Sequence, residues 1–449
     1  MEPQEVKVLE KIKPTKAETE KVFSFVQRLL SAAHKIAGPF CAYPEIVGSI
    51  AKDTFLRNGY DIDLFIVFKE RITREKLEEF GLMVGVTIAE ELGGTYNIKY
   101  AEHPYVRVSA QGLNIDVVPC YEIAKGGKII SAVDRSPLHT RYIREHLTGY
   151  MNDHARLLKY FCKQIGIYGA DAEHEGVSGY LCELLIIEYG TFGGALKKIS
   201  ELSFHSFIDV EEISGEKEAK KKFRDALIVI DPTDKNRNVA SPISAQNFLR
   251  LKMEAQNYLR TKEFPVLKKQ ARNLLIEKLK DERGTSFAGV KFRPPDMVPE
   301  NLYPQLRRFE RHLARFLHEN DFSVLRHFSW TDEDKLAVII IEVERAILPD
   351  YKKQAGPTIF SNETENFLKK YMDAKYKPYI EKNQFFVTAK RRFLNIETAI
   401  KTFLEERREE IPEKLAEKNI RVLREKEIIR LVNENKELNA HLVEKIFRI

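Results

Sequence analysis

Asp61-Ile62-Asp63 opens an apolar run, Leu64-Phe65-Ile66-Val67-Phe68, and no other stretch restricts the fold as tightly. So little polar surface remains that residues 61–68 read as a largely buried strand. Side chains alternate along a strand, so Asp61 and Asp63 project from one face, close enough to share a cation. Two carboxylates beside such a run are costly to desolvate unless a metal or hydrogen-bond donors satisfy them. Taken alone, however, D-x-D is equally a strand-end turn.

A third carboxylate, Asp116, stands in Asn114-Ile115-Asp116-Val117-Val118-Pro119, again flanked by apolar residues on a strand. If the two strands are neighbours, the three carboxylates can hold two Mg²⁺ ions about 3.5–4 Å apart, as in a two-metal polymerase site. Oxygen-only ligands favour Mg²⁺ or Mn²⁺ over softer metals. Upstream, Gly48-Ser49 leads into Ile50-Ala51-Lys52-Asp53-Thr54. That order is expected to present backbone N–H groups and the Ser49 hydroxyl at a helix N-terminus, a site suited to a triphosphate. Lys52 adds a point charge for the same phosphates. Gly-Ser alone carries almost no information; followed by D-x-D and a later strand Asp, it is far more specific.

The surroundings supply layers for such a strand. Apolar spacing predicts a helix over 15–37 and another over 73–92, the second ended by Gly93-Gly94. Strands near 105–110 and 113–118 flank Gln111-Gly112 as a hairpin. Helices follow over 152–165 and 178–189, with Leu157, Leu158, Phe161, Leu181, Leu184 and Leu185 as core candidates. Residues 211–224 are charged at most positions and read as a solvated loop or helix face. Asp231-Pro232-Thr233-Asp234 reads as a turn opening a helical stretch at 244–258. Beyond 265, strands at 289–292, 335–343 and 384–388 alternate with a helix over 306–320 and further helices, which suits a small α+β domain. Arg307-Arg308, Arg311, Arg315 and Lys390-Arg391-Arg392 are candidate grips for RNA phosphate, or plain solvated faces.

A length of 449 residues suggests about three domains. Hydrophobic content of 43% and charged content of 31% are those of a soluble globular protein. No apolar run approaches the roughly 20 residues that span a bilayer. The first residues lack the apolar stretch of a signal peptide, so no membrane association and a cytoplasmic location are expected. Cys41, Cys120, Cys162 and Cys182 show no C-x-x-C spacing, which argues against a zinc ribbon or a thioredoxin site and for small core residues. A net charge of +6 permits a polyanionic partner without demanding one.

Gly48-Ser49, Asp61-Ile62-Asp63 and Asp116 form the pattern of the nucleotidyltransferases related to DNA polymerase β. Longer stretches resemble the archaeal, class I, CCA-adding enzymes. Among them are Tyr100-Ala101-Glu102-His103-Pro104-Tyr105, Ile115-Asp116-Val117-Val118-Pro119-Cys120-Tyr121 and Ser131-Ala132-Val133-Asp134-Arg135-Ser136-Pro137. Others are Gly179-Tyr180-Leu181-Cys182-Glu183-Leu184-Leu185, Arg237-Asn238-Val239-Ala240 after Asp231-Pro232, Phe292-Arg293-Pro294-Pro295-Asp296 and Asn301-Leu302-Tyr303-Pro304-Gln305-Leu306. The likeness is strong over 45–310 and weaker beyond.

That resemblance implies an α+β protein: a polymerase-β-like palm (1–140), a helical neck (141–260) that recognises the base, and a tRNA-binding α+β, RRM/ferredoxin-like body with a C-terminal tail (261–449). It implies addition of C, C and A to the 3′ end of tRNA from CTP and ATP, by two-metal nucleotidyl transfer. Asp61, Asp63 and Asp116 would bind the metals, and Asp116 would help activate the 3′-hydroxyl. Gly48, Ser49 and Lys52 would hold the triphosphate. His139, Lys159 and Tyr168 fall at nucleotide-contacting positions of the neck, and Arg237 where the family reads the base. Without the family, these four read as a surface histidine, a solvated charge, a packing aromatic and a salt-bridged turn residue. Two departures stand out: Lys52 replaces the usual Arg, keeping charge but losing a bidentate fork, and Asp61 replaces a frequent Glu. The family often forms homodimers, which leaves a homodimer open here. The palm residues alone also suit a poly(A) polymerase, an oligoadenylate synthetase or a catalytically inactive RNA-binding relative; the later motifs favour CCA addition.

Overall fold

A computed structural model describes residues 1–69, 72–100, 102–124, 127–265 and 276–447. Ala101 of the first family stretch, and 266–275 within the expected third domain, lie outside the described residues. The chain forms two compact units, Met1–Leu267 and Lys268–Ile449.

The first unit begins with helices α1 (Pro3–Ile12) and α2 (Lys16–Ala37). Thr15 caps α2: its hydroxyl accepts from the Glu18 N–H, while the Glu18 carboxylate accepts from the Thr15 N–H. Then follow β1 (Ala42–Val47), α3 (Gly48–Ala51), β2 (Ile62–Phe68), α4 (Arg74–Glu91), β3 (Thr95–Tyr100), β4 (Pro104–Ala110) and β5 (Leu113–Tyr121). The five strands form one sheet in the order β1-β2-β5-β4-β3, in which only β2 and β5 run parallel. Gln111 and Gly112 both have positive φ, the conformation a two-residue hairpin turn requires. Ile62, Leu64 and Ile66 pack under α2 and α4, with Val106, Val108, Ile115 and Val117 from neighbouring strands. Phe65 and Val67 face the other side, in a smaller core with Val47 and Cys120. Asp63 shares their parity but lies at the strand's start, past the end of that smaller core.

Helices α5 (Arg135–His146), α6 (Met151–Gln164), α7 (Gly179–Tyr189), α8 (Phe192–Glu201), α9 (Glu216–Lys222) and α10 (Ala245–Thr261) complete this unit, with a small sheet of β6 (Ser206–Ile208), β7 (Leu227–Asp231) and β8 (Asp234–Asn238). The six predicted core residues are all buried here. Val8 and Ile12 of α1 join this helical core, so the chain's first helix packs with these later helices and not with the five-stranded sheet. The Asp231-to-Asp234 turn links β7 to β8 and does not open a helix; Leu227 to Ile230 are fully buried, too short a run to be told from a helix segment by periodicity. Arg237 accordingly lies on a strand. Three cysteines are buried as expected, but Cys41 is exposed in a left-handed position after a short turn.

The second unit starts with α11 (Ile276–Arg283), β9 (Ser286–Phe292), α12 (Pro299–Glu319), β10 (Val324–Thr331) and β11 (Ala337–Val343). A three-stranded insertion follows, from β12 (Tyr351–Thr358), α13 (Thr364–Tyr371), β13 (Tyr379–Glu381) and β14 (Gln384–Lys390). The chain then returns through α14 (Ile396–Glu406), α15 (Glu413–Ala416) and β15 (Arg421–Leu423) to α16 (Glu425–Glu434) and α17 (Lys436–Phe447). The antiparallel sheet β10-β11-β9-β15, with α12 and α14 as crossovers, is the ferredoxin-like β-α-β-β-α-β arrangement expected for the body. Every residue of β11 is buried, between one core with α12 and α14 and a second with α16 and α17. In the basic clusters, Arg315 pairs with Glu410, Arg391 with Asp321 and Arg392 with Glu406, so these three would have to exchange partners to hold phosphate.

Candidate active site

The register of the five-stranded sheet aligns one row of residues: Val47, Asp63, Asp116, Arg107 and Asn97, on β1, β2, β5, β4 and β3. Residues paired across strands share a face, so Asp63 and Asp116 stand side by side on parallel strands and Arg107 lies next to Asp116. Asp61 immediately precedes β2 and is the most exposed of the three, at 40%. Arg107 Nη2 donates to Asp61 Oδ2 at 2.5 Å, and its Nη1 lies 3.7 Å from Asp116 Oδ2. Asn114 Nδ2 donates to Asp61 Oδ1 at 3.3 Å. Asp116 Oδ1 is buried without a hydrogen-bond partner.

Burial, and next the charge of Asp116, push the Asp63 carboxyl up to about 7. Burial also raises Asp116, with Arg107 opposing. Both shifts are the mark of carboxylates held together without enough compensating charge.

Gly48 explains how Asp63 fits there. A Cβ at this position would stand 1.8 Å from Asp63 Oδ2, and Gly48 has φ +72°. Its N–H donates to Thr140 Oγ1 of α5 at 3.3 Å, and half-buried Ser49 follows. The helix expected to begin at this pair is a single turn of four residues, so little helix dipole reaches the site.

Lys52 and Lys159 converge on one carboxylate. Glu183 of α7 has no exposed side-chain surface and meets Lys52 at 2.6 Å and Lys159 at 2.7 Å. Thr54 donates to Glu183 at 2.5 Å and accepts from Lys159 at 2.7 Å. Burial alone would raise the Glu183 carboxyl; the two ammonium charges reverse this and hold it at about 2. Lys159 is thus a buried charge, contrary to the solvated reading its helix position invites. The Tyr168 hydroxyl approaches the same place, at Gly179, where a Cβ would lie 2.9 Å from it.

His139 and Arg237 converge on a second buried carboxylate, Asp231. His139 Nε2 donates to Asp231 Oδ2 at 2.8 Å, and Arg237 Nη1 donates to the same oxygen at 2.8 Å. Oδ1 accepts from the Tyr180 hydroxyl at 3.1 Å and from Thr233 N–H and hydroxyl at 2.9 and 2.8 Å. Burial opposes ionisation of Asp231, but these donors hold it well below the usual carboxylate range. Burial pushes His139 down, so the ring is neutral at pH 7 and its proton must sit on Nε2, facing an acceptor-only carboxylate. The His139 ring stacks on Tyr180 at 3.9 Å, and Lys52 Nζ lies 5.6 Å from the centre of the same ring. Lys52 and Tyr180 thereby join the two ionic clusters.

The ten residues singled out in the sequence therefore fall in one unit, as a carboxylate row, a lysine pair and a His–Arg pair. Sequence reasoning missed the residues that hold them: Arg107, Thr54, Tyr180, Glu183 and Asp231. The one available signal was charge inside apolar stretches, as at Glu183 in α7 and Asp231 at the end of β7. Among the described residues, the one three-residue group with all ligand atoms within 4.8 Å is elsewhere, at Asp171, Glu173 and His174. That group is exposed, and Asp171 Oδ1 accepts from two backbone N–H groups as a turn residue does. The ligand oxygens of Asp61, Asp63 and Asp116 do not all come within 4.8 Å of one another, and the Arg107 guanidinium lies beside Asp61 and Asp116.

The mixed sheet thus carries paired carboxylates on adjacent parallel strands, next to a glycine-opened turn. The family model described as a nucleotidyltransferase domain matches residues 45–139. The models for the tRNA nucleotidyltransferase second domain and the CCA-adding enzyme C-terminal domain match 153–267 and 283–425. CCA-adding enzymes from three organisms are similar along most of the chain. That of Methanocaldococcus jannaschii is 37% identical over 81% of this chain and 83% of its own. That of Halobacterium salinarum is 36% identical over 83% and 82%, and that of Picrophilus torridus 34% over 90% and 89%. The chain belongs to the CCA-adding enzyme family. Among solved structures, the Cid1 poly(U) polymerase aligns with 58% of this chain and 94% of its own at 14% identity and a TM-score of 0.44. No helix among the described residues is long and apolar enough to cross a membrane.

Proposed function

We propose that the chain adds C, C and A to the 3′ end of tRNA without a template, using CTP and ATP. The observation that carries this reading is the opposition of Asp63 and Asp116 on parallel strands, with Asp116 Oδ1 buried and unpartnered. An all-oxygen donor set with one orphaned oxygen fits a hard divalent cation, and Mg²⁺, as two ions, is the form favoured here. Asp61, Asp63 and Asp116 would hold it. When bound, such ions neutralise charge on the transferring phosphoryl group and on the oxygens that enter and leave.

The remaining work falls to side chains of this chain. Gly48 gives Asp63 its place. Lys52 and Lys159 carry two positive charges against the single negative charge of Glu183, which leaves a surplus for the triphosphate, joined by Ser49 and Tyr168. Arg237, oriented by Asp231, presents fixed donors to the base, and neutral His139, held by the same carboxylate through Nε2, offers Nδ1 as an acceptor. Asp116 helps activate the tRNA 3′-hydroxyl by taking up its proton. The 3′-oxygen then bonds to the α-phosphorus, the bond from α-phosphorus to its bridging oxygen breaks, and pyrophosphate leaves with that electron pair. Positioning and charge supply most of the acceleration in such a transfer. The acceptor stem would be read by shape and phosphates, since the deep groove of A-form RNA hides its bases.

Incorporation of labelled CTP and ATP into tRNAs ending before the first C, after one C and after both Cs tests this reading. Addition of C, C and A to the shortest, of C and A to the next and of A to the last is expected. Long A-tails would instead point to a poly(A) polymerase, and tRNA binding without incorporation to an inactive relative.

A further inference from the structure

Arg107 has no place in the reading given so far, yet it makes the closest ionic contact in the carboxylate row. It occupies the same cross-strand row as Asp63 and Asp116, and its fork reaches two carboxylates, Asp61 at 2.5 Å and Asp116 at 3.7 Å. Both oxygens of Asp61 are thereby engaged, Oδ2 by Arg107 and Oδ1 by Asn114. Asp116 Oδ1, in contrast, has no partner. The row is therefore only partly ready for a cation: one ligand oxygen waits, while both of Asp61 are taken.

We propose that Arg107 is a positioning residue that serves as the built-in counter-cation of this site and sets its affinity for divalent metal by competing for Asp61. The proposal rests on the reading of Asp61, Asp63 and Asp116 as metal ligands. With all three carboxylates ionised, as holding a cation requires, they and the guanidinium sum to −2. Without Arg107 the sum is −3, which attracts the ion more strongly but leaves the metal-free row to repel itself. Arg107 is about one-third exposed, so its guanidinium has room to swing off Asp61 as an ion arrives. Lysine would not substitute: an ammonium is a single point, whereas the planar fork bridges two carboxylates at once.

The test is Mn²⁺ binding to the nucleotide-free full chain, followed by electron paramagnetic resonance and by the shift of thermal unfolding. Wild type, Arg107→Gln, Arg107→Lys and the Asp63→Asn, Asp116→Asn double variant would be compared. Removing a unit charge at contact distance is expected to tighten Mn²⁺ binding about tenfold in Arg107→Gln. That variant should also unfold at lower temperature than wild type without metal and gain more from Mn²⁺. Arg107→Lys should fall between the two, and it decides the matter should the glutamine variant not fold. Binding equal to or weaker than wild type in folded Arg107 variants overturns the proposal, since a merely structural arginine would give that result. Wild-type binding that the Asp63, Asp116 double variant leaves unchanged would overturn the metal-ligand reading as well, so the two failures are distinguishable.

Discussion

Gly48 and Asp63 are fitted to each other: the carboxylate occupies the space where any side chain on residue 48 would begin, 1.8 Å from an ideal Cβ. The positive φ of Gly48 adds a second constraint, because an L-residue there costs about 1 kcal/mol. Gly48→Ala is therefore expected to push Asp63 out of its row. A displacement of about 1 Å at reacting groups costs roughly 100-fold in rate. Measured kcat/KM should fall by that order while thermal unfolding shifts by only a few degrees; unchanged activity would show that Asp63 does not need its present position.

Glu183→Gln removes the one carboxylate that balances Lys52 and Lys159. Leaving a buried ammonium uncompensated typically costs about 3–5 kcal/mol, so urea unfolding at pH 7 should show a loss of that order. The pH dependence has a definite sign. Glu183 sits at about 2 in the fold against an ordinary 4.5, so its stabilisation is full above 4.5 and is lost as pH falls toward 2. The glutamine variant should lack that acid-side loss. An equally steep acid limb in both proteins would place the titration elsewhere.

Asp231→Asn removes the charge and turns one carboxylate oxygen into an NH₂ that cannot accept, so either the His139 and Arg237 pair on Oδ2 or the Tyr180 and Thr233 donors on Oδ1 lose their acceptor and the ionic hold on Arg237 goes. Hydrogen bonds to charged groups are worth about 1.5–3 kcal/mol, which corresponds to a rise of roughly 10- to 100-fold in KM for CTP and ATP. Misincorporation of UTP should increase with it. Unaltered nucleotide selectivity would remove Asp231, and Arg237 with it, from base recognition.

What the sequence made legible was local. The apolar spacing of 15–37, the Gly93-Gly94 stop, the Gln111-Gly112 hairpin and the buried run after Asp63 all depend on neighbouring residues, and each appears in the fold. Strand β3 was not foreseen, because all six of its residues are exposed and Tyr96, Ile98 and Tyr100 face no core. Arg107 was not singled out within its hairpin strand; only the β4–β5 register puts it beside Asp116. Lys159 looked solvated because its partner Glu183 lies on another helix, and Asp231 looked like a turn residue because, besides the local donors of Thr233, it is held by Tyr180, His139 and Arg237 on three other elements. The chemistry-bearing side chains were visible one at a time, whereas the pairs that orient them exist only after the chain folds.

Single-turnover incorporation of CTP into tRNA lacking its 3′ end, by wild type and by Asp63→Asn and Asp116→Asn, tests the central claim most directly. Asp171→Asn, in the exposed turn cluster, serves as the comparison. Each of the first two variants should lose at least about 10²–10³ in rate, the order associated with removing one element of preorganised charge stabilisation, while still binding tRNA. Asp171→Asn should match wild type. Rates within a few-fold of wild type for Asp63→Asn and Asp116→Asn would contradict the assignment of this carboxylate row as the catalytic centre.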